Sequence, residues 1–150
     1  MRRAVAHARA HMEAGDGGPF GALVVKDGVV VGQGHNQVTT SNDPTAHAEM
    51  VAIRDACERL DTFSLAGCEL YTSCEPCPMC LAAAWWARMD RIWYASTRDD
   101  AAAVGFDDAA LYREVAAPLD ARSLPIEQVE IEQAAELMNA WDRKADKVPY

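Results

Sequence analysis

No stretch of this 150-residue sequence approaches the roughly 20 consecutive apolar residues that a membrane-spanning helix needs. Positive charge is scarce: 14 Lys and Arg stand against 23 Asp and Glu, a net charge of −9. Proteins that grip nucleic acid usually carry a basic patch that replaces counterions on phosphates. No Lys/Arg cluster of that kind occurs, which weighs against such a partner. Disulfide chemistry is poorly served as well. The five cysteines are an odd number, and three of them crowd into positions 74, 77 and 80. That pattern suits metal ligation in a reducing compartment better than a cross-linked framework. Repeats, low-complexity tracts and Pro/Gly/Ser-rich linkers are missing too, so a single domain with its own core is expected over residues 1–150.

The opening MRRAVAHARAHMEAG is Ala- and Arg-rich like a targeting peptide, but His7, Arg9, His11 and Glu13 interrupt what would be its apolar core. It reads as the first amphipathic helix of a cytoplasmic chain. GDGGP at 15–19 ends it, and FGALVVKDGVVVGQGHN reads as two strands joined at Asp27-Gly28, a strong hairpin signal. VTTSNDPT is loop, with Pro44 and Thr45 marking a helix start. AHAEMVAIRDACERL carries apolar residues at helical spacing. CELYTS is a strand running into the cysteines, CLAAAWWARM a helix and RIWYAS a further strand. Beyond residue 100, DDAALYREV is expected as a short helix, IEQVEIE as an edge strand and AAELMNAWDRKAD as a final helix. This alternation indicates an α/β sheet covered by helices.

The chemistry concentrates in SCEPCPMC, residues 73–80, and HAE, residues 47–49. Residues three apart share a helix face, so Cys77 and Cys80 pair if a helix begins near Cys77. Pro76 and Pro78 suit its first turn, where a missing N–H costs nothing. Pro76 disfavours helix at Glu75, so Cys74 belongs to the strand end and points elsewhere as a packed thiol. With His47, the pair makes three protein ligands, the number that leaves a tetrahedral zinc one open position. Glu49, two residues from His47, stands near enough to move protons without ligating. H-x-E with P-C-x-x-C is the general signature of zinc deaminases. Two rival readings are a closed structural site that adds Cys74 and a redox C-x-x-C. The isolated His7, His11 and His35 read as surface or hairpin residues rather than ligands.

The stretches GGPFGA, HN, TTSNDPTAHAE, LYTSCEPCPMC, WAR and GFDD are similar to the cytidine-deaminase-like superfamily, and within it to the small bacterial guanine deaminases. The similarity runs from about residue 15 to 113. It implies a three-layer α/β/α fold with a mixed central sheet between helices, and the conversion of guanine to xanthine and ammonia. It also implies Zn²⁺ on His47, Cys77 and Cys80, with Glu49 as proton shuttle. By the same resemblance Asn36 hydrogen-bonds the purine, Phe20 and Trp86 sandwich it, Ala48 adjoins it and Asp108 meets its exocyclic edge. Tyr150 closes the pocket, in a homodimer whose subunits exchange C-terminal segments. Departures from the family occur at Trp85 and in the tail DKVPY. Plainer roles compete at several of these positions. Phe20 can be core, Asp107 and Asp108 can cap a helix, and Trp85, Trp93 and Trp141 suit core or interface. Guanosine, cytosine, another aminopurine or a triazine are alternative substrates of the same site. A transfer-RNA adenosine editor is disfavoured by the acidic surface. A non-catalytic zinc-stabilised dimerisation module is the alternative outside enzymology.

Overall fold

Asp27 and Gly28 both adopt positive φ, 50° and 78°, and this left-handed pair turns strand β1 (Gly21–Lys26) back into β2 (Val29–His35). The computed structural model that shows this describes residues 1–149. Strand β3 (Cys68–Cys74) pairs antiparallel with the other side of β1, and β4 (Arg91–Ser96) runs parallel to β3. The order β2-β1-β3-β4 is therefore a mixed sheet.

Helix α1 (Arg2–Ala14) covers one face and α3 (Ala48–Leu60) the other, where α4 (Pro78–Trp86) packs beside it. A one-turn helix α2 (Val38–Ser41) precedes α3, while α5 (Arg98–Ala102), α6 (Ala109–Ala116) and α7 (Glu132–Arg143) follow β4. Glycine decides how closely α3 lies on β2. A Cβ on Gly34 would stand 2.3 Å from the Ala48 carbonyl oxygen, and one on Gly32 2.5 Å from that of Ala52. The helix answers with alanines, Ala48, Ala52 and Ala56, all fully buried. Val24, Leu65 and Leu70 fill the remaining core. Each such side chain contributes roughly 1.5–3 kcal/mol of burial.

Four expectations from sequence need correction. Val38–Ser41, expected as part of a loop, forms the one-turn helix α2, where the Ser41 hydroxyl donates to the Gln37 carbonyl at 2.6 Å. Helix α3 starts at Ala48, with His47 as N-cap, and not at Pro44 or Thr45. The Asp43 carboxylate accepts hydrogen bonds from both the backbone N–H (2.8 Å) and the hydroxyl (2.7 Å) of Thr45, which holds the chain in a turn. Helix α4 ends at Trp86, short of Met89, where Arg88 swings to a φ of 62°. IEQVEIE forms no strand, and Ile126, Val129 and Ile131 are exposed. Alternation alone cannot make a strand without a neighbour to supply its hydrogen bonds. Helix α5 was not anticipated. It rests on a local capping box in which Thr97 and Asp100 satisfy each other's backbone N–H groups.

Candidate metal centre and its pocket

Two helices begin at the same place above the sheet. His47 is the N-cap of α3 and Cys77 the N-cap of α4, whose first residue is Pro78. One turn into α4, Cys80 faces the same point. His47 Nδ1 lies 3.6 Å from each of the two sulfurs, which are 3.7 Å apart. A tetrahedral ion with Zn–S of about 2.3 Å and Zn–N of about 2.0–2.1 Å sets its ligands about 3.8 Å (S to S) and about 3.5 Å (S to N) apart. The triangle therefore fits zinc before any rearrangement. Its electrostatics fit as well. The hydrogen bond from Cys80, then that from His47, brings the Cys77 thiol down to about 4 despite its burial. Bonding to Cys77 raises His47. Cys80, holding the shared proton, is pushed up. A thiol lowered in this way is prepared for a cation.

Cys74 is buried at the end of β3 with its sulfur 3.5 Å from the Thr97 carbonyl, and it stands outside the triangle. Among the described residues no fourth metal-ligating side chain completes the triangle, so the closed site with Cys74 is not formed. Glu49 is only 6% exposed. One carboxylate oxygen accepts from the Thr72 hydroxyl at 3.2 Å, and the other is 3.5 Å from the Cys80 sulfur. Burial raises its pKa above the ordinary carboxylate range.

A cleft of about 460 Å³ opens onto His47, Glu49 and Cys77. Phe20 and Asn36 line it, and the Asn36 N–H donates to the Phe20 carbonyl at 3.0 Å. The Asn36 side-chain oxygen accepts from the Val38 N–H (3.3 Å), which orients the amide. The loop before Phe20 lies so close that a Cβ on Gly17 (φ 149°) would sit 1.8 Å from the Asn36 carbonyl oxygen. Asp107 and Asp108 divide the labour at α6. Both line the cleft, but Asp107 takes the bond from the Ala109 N–H at 2.8 Å, whereas the Asp108 side chain makes no cap bond. Burial is the largest influence raising its carboxyl. Ala48 is fully buried between His47 and Glu49, at the first position of α3.

Trp86 is not brought into this cleft. It is 54% exposed and lines two other hollows, one beside Ile53 and Cys57 and one beside Leu81 and Tyr112. At about 100° per residue it stands about 120° round α4 from Cys80, too far to share that residue's face. Tyr150 lies outside the described residues.

Sequence reasoning missed three contributors. Phe106 meets Phe20 edge-on, with ring centroids 4.8 Å apart, and lines the cleft with it. Glu75 and Arg98 also line it and pair at 2.6 Å. Arg98 in turn lies over the Tyr112 ring, whose hydroxyl donates to the Pro76 carbonyl at 3.0 Å. That network ties α5 and α6 to the start of α4. Complementary charge at 75 and 98 was the only available signal, and nothing periodic connects positions so far apart.

Residues 1–96 match the model of the cytidine and deoxycytidylate deaminase zinc-binding region. The chain belongs to that family. Its cofactor is zinc. Within this deaminase family the chain is 50% identical to the guanine deaminase of Bacillus subtilis (strain 168), over 100% of this chain and 96% of that one. The X-ray structure of guanine deaminase from Bacillus subtilis superposes with a TM-score of 0.96 at 50% identity, covering 99% of this chain and 95% of that one. A tRNA-specific adenosine deaminase of Aquifex aeolicus (strain VF5) is 36% identical, over 84% of this chain and 81% of its own. The mixed sheet between helices is thus the fold of a zinc-dependent deaminase.

Proposed function

We propose that this chain is a cytoplasmic guanine deaminase, which replaces the exocyclic amino group of guanine by oxygen to give xanthine and ammonia. The carrying observation is Asp108: a carboxylate released from helix capping stands in the same cleft as Glu49 and the metal triangle. Guanine presents N1–H and N2–H₂ donors along one edge, which an acceptor-only carboxylate suits, and adenine lacks that donor pair. Full-length similarity to a guanine deaminase supports the same substrate.

Held by His47, Cys77 and Cys80, Zn²⁺ supplies a Lewis acid that lowers the pKa of its water to about 7. The chain's own residues do the rest. Phe20 and Phe106 hold the flat base, since base–aromatic contact is worth about 1–3 kcal/mol. The Asn36 amide and the Asp108 carboxylate fix its rotation in the plane, with the Ala48 N–H an additional donor at the start of α3. Glu49 accepts a proton from the attacking water and delivers it to the departing nitrogen at C2. Its burial keeps that proton from exchanging with bulk solvent. Ammonia release from guanine, guanosine, cytosine, adenosine and transfer RNA, measured side by side, tests the reading. Guanine is expected to react fastest, and a faster reaction with any of the others overturns it.

The working form is further proposed to be a homodimer whose C-terminal segments cross between subunits. Leu124, Val129, Leu137 and Met138 are 75%, 79%, 63% and 65% exposed, and α7 buries no residue against its own chain among those described. An isolated helix of this length is marginal in water, so its apolar stripe needs a cover. Leu81, Trp85 and Trp86, on the outer side of α4, form a second exposed apolar surface. Light scattering on the eluted protein checks this reading. A mass of one chain at micromolar concentration contradicts it.

A further inference from the structure

The histidines expected to be isolated are not. His7 and His11 stand one helical turn apart on α1, beside the buried Ala4 and Ala8, and His35 ends β2 on the sheet face that α1 covers. One ring nitrogen of each lies within 4.8 Å of the others. The His11 and His35 rings stack at 3.6 Å with 1° between their planes, so one of them has to turn out of the stack before both lone pairs meet a single ion, and His7 meets His11 edge-on at 4.6 Å.

Two details point to a ligand. His7 Nε2 is buried, and no protein group hydrogen-bonds to it among the described residues. A buried polar atom without a partner is costly unless something else satisfies it. His11 Nδ1 lies 2.9 Å from an Asp16 carboxylate oxygen, a bond that favours the tautomer with the hydrogen on Nδ1 and the lone pair on Nε2. A carboxylate behind a histidine is the usual support of an imidazole metal ligand.

We propose that His7, His11 and His35 bind a second divalent transition-metal ion, with Asp16 orienting His11. Three imidazoles suit zinc, nickel or copper and offer little to magnesium or calcium. None of these residues belongs to the triangle of His47, Cys77 and Cys80. Binding would pin α1 to the end of β2, one residue before Asn36.

The test uses the zinc-loaded enzyme, dialysed to equilibrium against free Zn²⁺ and assayed for metal per chain. Two zinc ions per chain are expected, falling to one in His7→Gln and in His11→Gln. Deaminase activity in both variants stays near that of the parent, which establishes folding and the first ion. Asp16→Asn should weaken the second equivalent on the order of 10- to 100-fold. Ni²⁺ added to the same enzyme should bind at one further equivalent without displacing zinc, and both histidine variants should lose it. One zinc per chain in the parent at saturating zinc overturns the proposal. So does a second equivalent that survives both histidine substitutions.

Discussion

One carboxylate oxygen of Glu49 lies 3.5 Å from the sulfur of Cys80, close enough to reach any molecule at the fourth vertex of the triangle without occupying that vertex. The Thr72 hydroxyl holds the other oxygen, so the acid is aimed as well as near. Glu49→Gln keeps the shape and removes the proton acceptor. Turnover of guanine is expected to fall roughly 100- to 10,000-fold. Zinc content should stay at one per chain or above in elemental analysis, and retained turnover would refute the shuttle role.

The adjacent aspartates should separate cleanly. Asp108→Asn is expected to lower kcat/KM for guanine by the equivalent of about 1–3 kcal/mol, because one of the two acceptor oxygens becomes an NH₂ that faces the donors of the base. Asp107→Ala should instead cost about 0.5–2 kcal/mol of stability through the lost bond to Ala109, with much smaller kinetic effects. Steady-state kinetics and denaturant titration on both variants decide it, and an exchange of the two patterns would reverse the assignments.

Gly34→Ala tests how the sheet positions the chemistry. The added methyl would meet the Ala48 carbonyl at 2.3 Å, so the first turn of α3 has to lift, taking His47 and Glu49 with it. Overpacking of this kind costs about 1–3 kcal/mol. Weaker zinc retention against a chelator is expected to accompany the drop in denaturation midpoint. Stability lost with zinc affinity unchanged would show that the close approach serves packing alone.

Glu114 gives a pH-dependent signal away from the metal. Its carboxylate accepts from the backbone N–H groups of Ser123 (3.0 Å) and Leu124 (2.9 Å), and these bonds hold its carboxyl below the ordinary glutamate value. A lowered carboxyl contributes its stabilisation above the unfolded value, about 4.3, and loses it as pH falls through the lowered one. Amide-exchange protection at Ser123 and Leu124 should therefore hold at neutral pH and fade below about pH 4. Glu114→Gln should remove most of it at every pH. Protection indifferent to both changes would mean that other contacts hold the turn.

The legibility of this protein in its sequence followed the range of the interactions. The Asp27-Gly28 hairpin, the ends of β3 and the helix start at Cys77 depend on neighbours a few residues away, and all were readable. Asp43, whose side chain delays α3, was also local but was overlooked because Pro44 looked like the stronger signal. IEQVEIE failed for the opposite reason, since alternation describes which faces a strand would show and says nothing about an available edge. Trp86, assigned to the base by resemblance, stands on another side of α4 from Cys80 and outside the cleft of its own chain, an angle that its place in the sequence does not display.

By itself the sequence determined the ligand types, their spacing within each helix and the acid two residues from the histidine, because a helical turn converts spacing into a shared face. The tertiary structure decided what spacing cannot carry: that two helix starts meet at one point above the sheet, and that both aspartates reach the cleft, with Asp107 tied to the Ala109 N–H and Asp108 free of any cap bond. It also brought three scattered histidines together. Each of these depends on where separate elements come to rest, and packing across the sheet fixes that.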